Sequence, residues 1–267
     1  MEETKAERKA RKAQRRLEKE QRVFLKKNPD SKILDYKTNI LCVRFGNKYG
    51  PEYVKRLRNM IDRNITVPYQ LICLTDDPTP IDGVKLIVQP NAGYAKGWWH
   101  KVHMFDKKLP INGRILYMDL DVVICNNIDK LTRIYNSDFM GIRDFNRKFH
   151  SGWRYLNSSV MSWVHGSQDY IYTNFKSAPE VAQRMHGDQD WTWKSAKDRI
   201  KFWPESWIQS YKWEIRSRGE LQVINGVRQF AEQKDDIVIP DELCVAVFHG
   251  DPNPAIVKDK FVVENWK

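Results

Sequence analysis

From residue 39 onward the apolar residues come in short runs separated by polar, Gly- and Pro-bearing stretches. Segments 39–45, 69–74, 84–88, 114–118, 138–142, 159–164 and 243–248 read as strands, because each is a brief β-branched or apolar run bounded by turn residues. Between the early runs the spacing changes to a helical period. Segment 51–64 opens with Pro51 at a first turn, 96–108 follows the third strand, and a further helix is expected near 128–135. Strands alternating with helices predict an α/β fold with a mixed, mainly parallel sheet flanked by helices. In such a sheet, ligands bind at the carboxyl ends of the strands.

The first residues follow another pattern. Segment 4–27 has no Gly or Pro and places Ala6, Ala10, Ala13, Leu17 and Phe24 along a heptad seam, so it predicts a charged N-terminal helix. Alanine dominates that seam and Glu20 interrupts it, which suits a solvated helix or docking arm better than a coiled coil. Asn28, Pro29, Asp30 and Ser31 mark a linker. The expected organisation is a basic helical tail and linker over 1–31 and one domain over 32–267.

Charge sharpens this division. Of the net +11, residues 1–28 hold +6 (eleven Lys or Arg against five Glu), leaving +5 for the remaining 239 residues. A basic excess concentrated outside the domain argues for an anionic surface or protein partner of the tail, and against a nucleic-acid face on the body. No apolar run approaches the roughly 20 residues that span a bilayer, and the charged N-terminus has no signal-peptide core, so a cytoplasmic protein is expected. Cys42, Cys73, Cys125 and Cys244 each sit singly in apolar surroundings without C-x-x-C spacing, and are expected to be reduced core residues.

The candidate chemistry centres on Arg114-Ile-Leu-Tyr-Met-Asp-Leu-Asp121, an apolar strand ending in two carboxylates. In an extended chain, residues two apart point the same way, so Asp119 and Asp121 can converge on one hard divalent cation such as Mn²⁺ or Mg²⁺. Two solvated turn aspartates are the plain alternative.

This strand resembles the Asp-x-Asp motif of GT-A glycosyltransferases, especially glycosyltransferase family 8, which includes glycogenin and lipopolysaccharide galactosyltransferases. Further segments resemble that family in the same order. They are the first strand and helix over 39–55, Gly97-Trp-Trp-His-Lys101 before the metal strand, Leu156-Asn157-Ser-Ser, Gly187-Asp188-Gln189-Asp190, and Val247-Phe-His249-Gly250-Asp-Pro-Asn-Pro254. The resemblance covers about 40–254 and implies a GT-A, Rossmann-like sheet and transfer of a hexose, with retention, from a nucleotide-diphosphate sugar such as UDP-hexose to a carbohydrate or glycoconjugate acceptor. It implies Asp119, Asp121 and His249 as metal ligands, and Lys101, Asp119, Asn157 and Gly250 at the donor. It also implies Asp188, Gln189 and Asp190 beside the reacting sugar. Family members usually carry a Lys just before the last Pro of the C-terminal motif, where this chain has Asn253, so Lys212 or Arg216 is left to meet the phosphate charge.

Plainer readings stand beside these. Lys101 suits a solvated helix charge, His249 a surface histidine, Asp188 a helix N-cap, and His100 and His103 packing or surface positions. Seven of the ten tryptophans fall between Trp153 and Trp213, where core packing explains most and an acceptor sugar one or two. A sugar nucleotidyltransferase is the nearest rival, although Gly46-Asn-Lys-Tyr-Gly50 makes a poor phosphate loop. A non-catalytic carbohydrate- or nucleic-acid-binding protein leaves the aspartate pairs unexplained.

Overall fold

The computed structural model describes Arg8 and residues 38–94, 96–132, 139–224, 227–233 and 237–267. The expected tail and linker over 1–31 lie outside the described residues, apart from Arg8. In chain order the strands are β1 (Thr38–Arg44), β2 (Tyr69–Thr75), β3 (Val84–Val88), β4 (Arg114–Met118), β5 (Val122–Ile124) and β6 (Phe139–Arg143), then β7 (Leu156–Val164), β8 (Ile200–Phe202), β9 (Ile208–Ser210), β10 (Ser217–Ile224), β11 (Val227–Gln233) and β12 (Val245–Val247). Seven of them form one sheet in the order β3-β2-β1-β4-β7-β6-β8. The pairs β1–β2, β2–β3, β1–β4 and β6–β8 are parallel, and β7 runs antiparallel to both neighbours, β4 and β6. The sheet is therefore mixed and mainly parallel, as the strand and helix alternation predicts.

Strands buried on both faces supply two cores, and their residues alternate between them. Ile40, Cys42, Leu116 and Met118 pack with Val54, Leu57, Met60 and Ile61 of helix α1 (Pro51–Asn64). Leu41, Ile115 and Tyr117 face the other side, where the 3₁₀ segment Gly97–Phe105 contributes Trp99, Val102 and Phe105. Each large side chain removed from water contributes on the order of 1.5–3 kcal/mol, so this period-2 division fixes which way every strand-end residue points. Cys42 and Cys73 are register partners in neighbouring strands, and all four cysteines are free thiols.

Several boundaries differ from the sequence reading. The expected helix 96–108 is the 3₁₀ segment, and the expected helix near 128–135 is described only as α2 (Asp129–Thr132), because 133–138 fall outside the described residues. The run 243–248 does not enter the seven-stranded sheet. Its core, β12, lies in a separate three-stranded sheet, β5-β12-β9, antiparallel to β5 and parallel to β9. Both faces of a short apolar run look alike in sequence, so its hydrophobicity could not select between two sheets that share one core. Helices α3 (Asp169–Ser177), α4 (Val181–Arg184), α5 (Asp188–Ala196) and α6 (Lys260–Asn265) complete the described α-helices, and short helical turns cover Phe145–Lys148, Tyr211–Ile215 and Pro254–Ile256. No helix of the described residues is long and apolar enough to cross a membrane.

Candidate active site

Asp119 and Asp121 sit at the corner where the chain leaves the main sheet for the small one. β4 ends at Met118 and β5 begins at Val122, so the two aspartates flank a turn and do not continue an extended strand. The expected extended strand end is thus a turn. Asp119 keeps its backbone in the ladder, donating its N–H to the Ser159 carbonyl (2.9 Å). Its Oδ1 accepts from the Tyr117 hydroxyl (2.5 Å) and pairs with the Lys101 ammonium (3.0 Å). On the other side of the corner, Asp121 Oδ2 accepts from the Tyr49 hydroxyl (2.7 Å).

Lys101 is not a solvated helix charge. Its side chain is 12% exposed, and its Nζ lies 3.0 Å from Asp119, 3.5 Å from Asp188 Oδ2 and 3.0 Å from the Ser158 hydroxyl, to which it donates. Burial alone would lower its pKa, but the flanking charges of Asp119 and Asp188 overrule it and hold the ammonium well above the usual lysine range. Asp188 is buried and its carboxyl is pushed up by that burial, with Lys101 and a bond from Ser158 (3.1 Å) opposing the shift. It does not cap α5; Gly187 is the cap residue and Asp188 is the first helical position. Gln189 accepts from the Ser158 N–H (3.1 Å), and Asp190 stands partly exposed. Asn157 is buried, with its Oδ1 taken by the Ser159 N–H (3.1 Å).

Burial and the charge of Asp119 push the Asp121 carboxyl up to about 6, against the lowering pull of Tyr49, Lys48 and Lys101. A carboxyl raised by burial and by a neighbouring carboxylate, in a half-enclosed corner, belongs to a donor set suited to a hard divalent cation, which would relieve the repulsion.

His249 lies in a second cluster. The register Val247↔Val122 puts the end of β12 beside the start of β5, so His249 and Asp121 share one end of that strand pair. The imidazole stacks on Phe145 (5.0 Å between centroids), meets the edge of Trp213 (4.4 Å) and shares a hydrogen bond between its Nε2 and Ser210 Oγ (2.7 Å). Burial first, then the Lys212 ammonium, lowers its pKa to about 3, so the ring is neutral and able to ligate. Among the described residues, however, no three His, Cys, Asp or Glu side chains gather as around a metal. His249 thus shares a strand-pair end with Asp121, while its ring is not gathered with Asp119 and Asp121.

Beneath this cluster a buried ion pair, Arg147 Nη2 to Glu214 Oε1 (2.8 Å), fixes Ser210, whose N–H donates to Glu214 Oε2 (2.8 Å). Gly250 takes φ +69°, a left-handed conformation that suits glycine, and a Cβ there would lie 3.5 Å from Lys212 Nζ. Lys212 donates to the Asp251 carbonyl (3.3 Å), and burial lowers its pKa. Arg216 is turned to Asp259 (3.9 Å).

Sequence reasoning missed Tyr49, Tyr117, Ser158 and Ser210 as partners of these groups. Tyr117 was accessible in principle, because it lies two residues before Asp119 on the same strand face. Tyr49 follows β1 and needed the strand order to be placed. His100 and His103 are packing groups, as expected: His100 is buried, stacked on Phe45 (4.2 Å), and His103 bonds Tyr94 and Gln89.

No protein-family profile matches the sequence, and no curated protein matches it significantly. Solved structures do resemble it. The galactosyltransferase LgtC, in complex with donor and acceptor sugar analogues, is 11% identical with a TM-score of 0.59, covering 86% of this chain and 96% of LgtC. An active-site mutant of LgtC gives 11% and 0.60, over 83% and 91% of the two chains. The bifunctional glycosyltransferase WbbM gives 12% and 0.57 over 88% of this chain, which spans 50% of WbbM. The chain also spans only 47% of GlyE from Streptococcus pneumoniae, at a TM-score of 0.48. At these identities the likeness is one of architecture: the mixed, mainly parallel sheet flanked by helices is the fold of these glycosyltransferases.

Proposed function

We propose that this protein is a metal-dependent glycosyltransferase that moves a hexose, with retention, from a nucleotide-diphosphate sugar such as a UDP-hexose to a carbohydrate or glycoconjugate acceptor. The observation that carries the proposal is the buried Lys101 ammonium clamped between Asp119 and Asp188, beside an Asp121 carboxyl held up at about 6. An ion cluster of this kind, at the corner of two sheets, is costly to bury and is commonly kept for chemistry. The likeness to LgtC, a galactosyltransferase solved with donor and acceptor sugar analogues, supports a sugar donor and a sugar acceptor.

In this reading Asp119 and Asp121 would hold Mn²⁺ or Mg²⁺, and His249 would complete the set in exchange for its bond to Ser210. The cation would supply positive charge to the departing diphosphate, which gains negative charge as the glycosidic bond breaks. Lys101 adds a fixed positive charge facing the same centre, while Lys212 and the open Gly250 turn receive the diphosphate from the other side. Asp188, Gln189 and Asp190 face the sugar, where carboxylates orient its hydroxyls and offset the positive charge that develops on its ring.

A thermal-shift screen of nucleoside diphosphates with and without Mn²⁺ tests this. A ligand bound by the native state alone raises the melting temperature by several degrees at saturating concentration. The expected result is a shift with one nucleotide that disappears in excess chelator, together with slow Mn²⁺-dependent hydrolysis of the matching nucleotide sugar. Undiminished activity in chelator would remove the metal from the mechanism, and release of the inverted anomer first would remove retention.

A further inference from the structure

Among the large apolar side chains of the described residues, Trp98 combines exposure with a place beside the ion cluster. It is 42% exposed, whereas its neighbour Trp99 is fully buried and stacks on Phe175 (5.4 Å). Core packing therefore accounts for one indole of the pair and leaves the other unexplained.

Position gives Trp98 a role. In a 3₁₀ segment, residues three apart eclipse one another, so Trp98 and Lys101 lie on one face, about 6 Å apart along the axis. Lys101 reaches inward to Asp119 and Asp188, and Trp98 stands on the solvent side of it. The indole also lies against Gly187, where an added Cβ would be 3.2 Å from Nε1. Gly187 directly precedes Asp188, so the ring borders the N-terminus of α5 and the carboxylates there. Lys96 Nζ lies 5.3 Å from the ring centroid. The indole N–H has no acceptor among the described residues and can donate to a ligand hydroxyl.

A pyranose has an apolar face of C–H groups and a rim of hydroxyls, and an indole offers the matching flat apolar surface with one donor at its edge. We propose that Trp98 is a sugar-stacking platform at the mouth of the Lys101–Asp119–Asp188 cluster, taking the apolar face of a hexopyranose. The inference rests on the glycosyl-transfer reading above, and the ring can belong to the donor or to the acceptor.

Saturation-transfer NMR separates these cases. One arm uses UDP-glucose and UDP-galactose with Mg²⁺, which does not broaden the spectrum as a paramagnetic ion would. The other uses methyl β-D-galactopyranoside and lactose without nucleotide. Sugar ring signals in the first arm assign Trp98 to the donor, and in the second to the acceptor. In either arm, Trp98→Ala should weaken sugar affinity at least about threefold, the scale of one aromatic contact. Trp98→Phe should largely restore it, and uridine signals should be unchanged in both variants. Sugar ring signals that persist unaltered in Trp98→Ala overturn the inference, as does their absence from both arms in the parent protein. Loss of the uridine signals in the parent would instead count against the proposed function, because the glycoside arm still reports on Trp98 alone.

Discussion

Replacing Asp121 with Asn should stabilise the metal-free protein, and only at high pH. In the fold this carboxyl titrates at about 6, against 3.8 for the ordinary group. The native state therefore binds the proton more tightly than the unfolded chain. The associated stability is complete below 3.8 and is lost as pH rises through about 6. About two pKa units correspond to at most about 3 kcal/mol, and partial exposure of the carboxylate reduces the expected gain to about 1–2 kcal/mol. For a chain of this size that is a rise of about 3–6 °C in melting temperature. Asn retains an Oδ1 that can accept the Tyr49 hydroxyl, so the substitution removes charge without stranding a donor. The assay is thermal unfolding of parent and Asp121→Asn in chelator at pH 4.5 and pH 8. The variant should match the parent at the lower pH and exceed it at the higher. With Mn²⁺ at pH 8 the order should reverse, because only the parent gains binding energy. A variant no more stable than the parent at pH 8, or a gap of equal size at both pH values, would refute the electrostatic account of the corner.

Lys101→Met should cost about 3–5 kcal/mol in denaturant unfolding, because it leaves Asp119 and Asp188 without their shared cation; a loss below about 1 kcal/mol would show that solvent already compensates them. His249 should show no imidazole titration by NMR between pH 5 and pH 8, since its pKa is lowered to about 3, and His249→Ala should weaken Mn²⁺ binding at least about tenfold while the fold survives. A titration near the ordinary histidine value, or unchanged Mn²⁺ affinity, would make it a bystander. Lys212→Met should reduce nucleoside-diphosphate affinity about 10- to 100-fold without lowering the melting temperature, because burial already disfavours that ammonium; unchanged affinity would place the phosphates elsewhere.

The sheet was legible because strands buried on both faces carry apolar runs, as β1, β2 and β4 do, while the partly exposed β3 and the Ser-bearing β7 were read from shorter apolar stretches. The short strands β8 and β9 were not read, since three residues carry no measurable period. The small sheet was illegible for a deeper reason. Val122, Val123 and Ile124 look like a continuation of β4, and only the turn at Asp119–Asp121 reveals that they pair with β12. That single feature decides the geometry of the carboxylate pair and the route by which His249 approaches it. Residue types at the site were legible as a set, but their partners were not. Lys101 reads as an ordinary helical charge until the crossing of the 3₁₀ segment over β4 and β7 brings it between two aspartates. Asp188 likewise reads as a cap until Gly187 is seen to occupy that position.

Asn253, where the resemblance leads to the expectation of a Lys, also becomes intelligible through contacts that sequence does not carry. Asn253 Oδ1 accepts from the Tyr53 hydroxyl (3.1 Å) and from the Ala255 N–H (2.9 Å). A lysine ammonium is a donor only and could receive neither bond. Tyr53 packs against Tyr49, 4.7 Å between centroids, and Tyr49 holds Asp121. Asn253 therefore anchors an aromatic pair that reaches the carboxylate corner, through two accepted bonds that a lysine could not make. The positive charge that such a lysine would supply has a substitute in Lys212, whose Nζ would stand in ordinary contact, 3.5 Å, with a Cβ at Gly250. Arg216, the other residue considered, is engaged by Asp259. An ammonium delivered from the π-helical turn Tyr211–Ile215 approaches the His249-Gly250 turn from the side of Ser210. The proposed phosphate contact and the imidazole are thereby mounted on one support, the Ser210–Glu214–Arg147 network, so that moving either one disturbs the other.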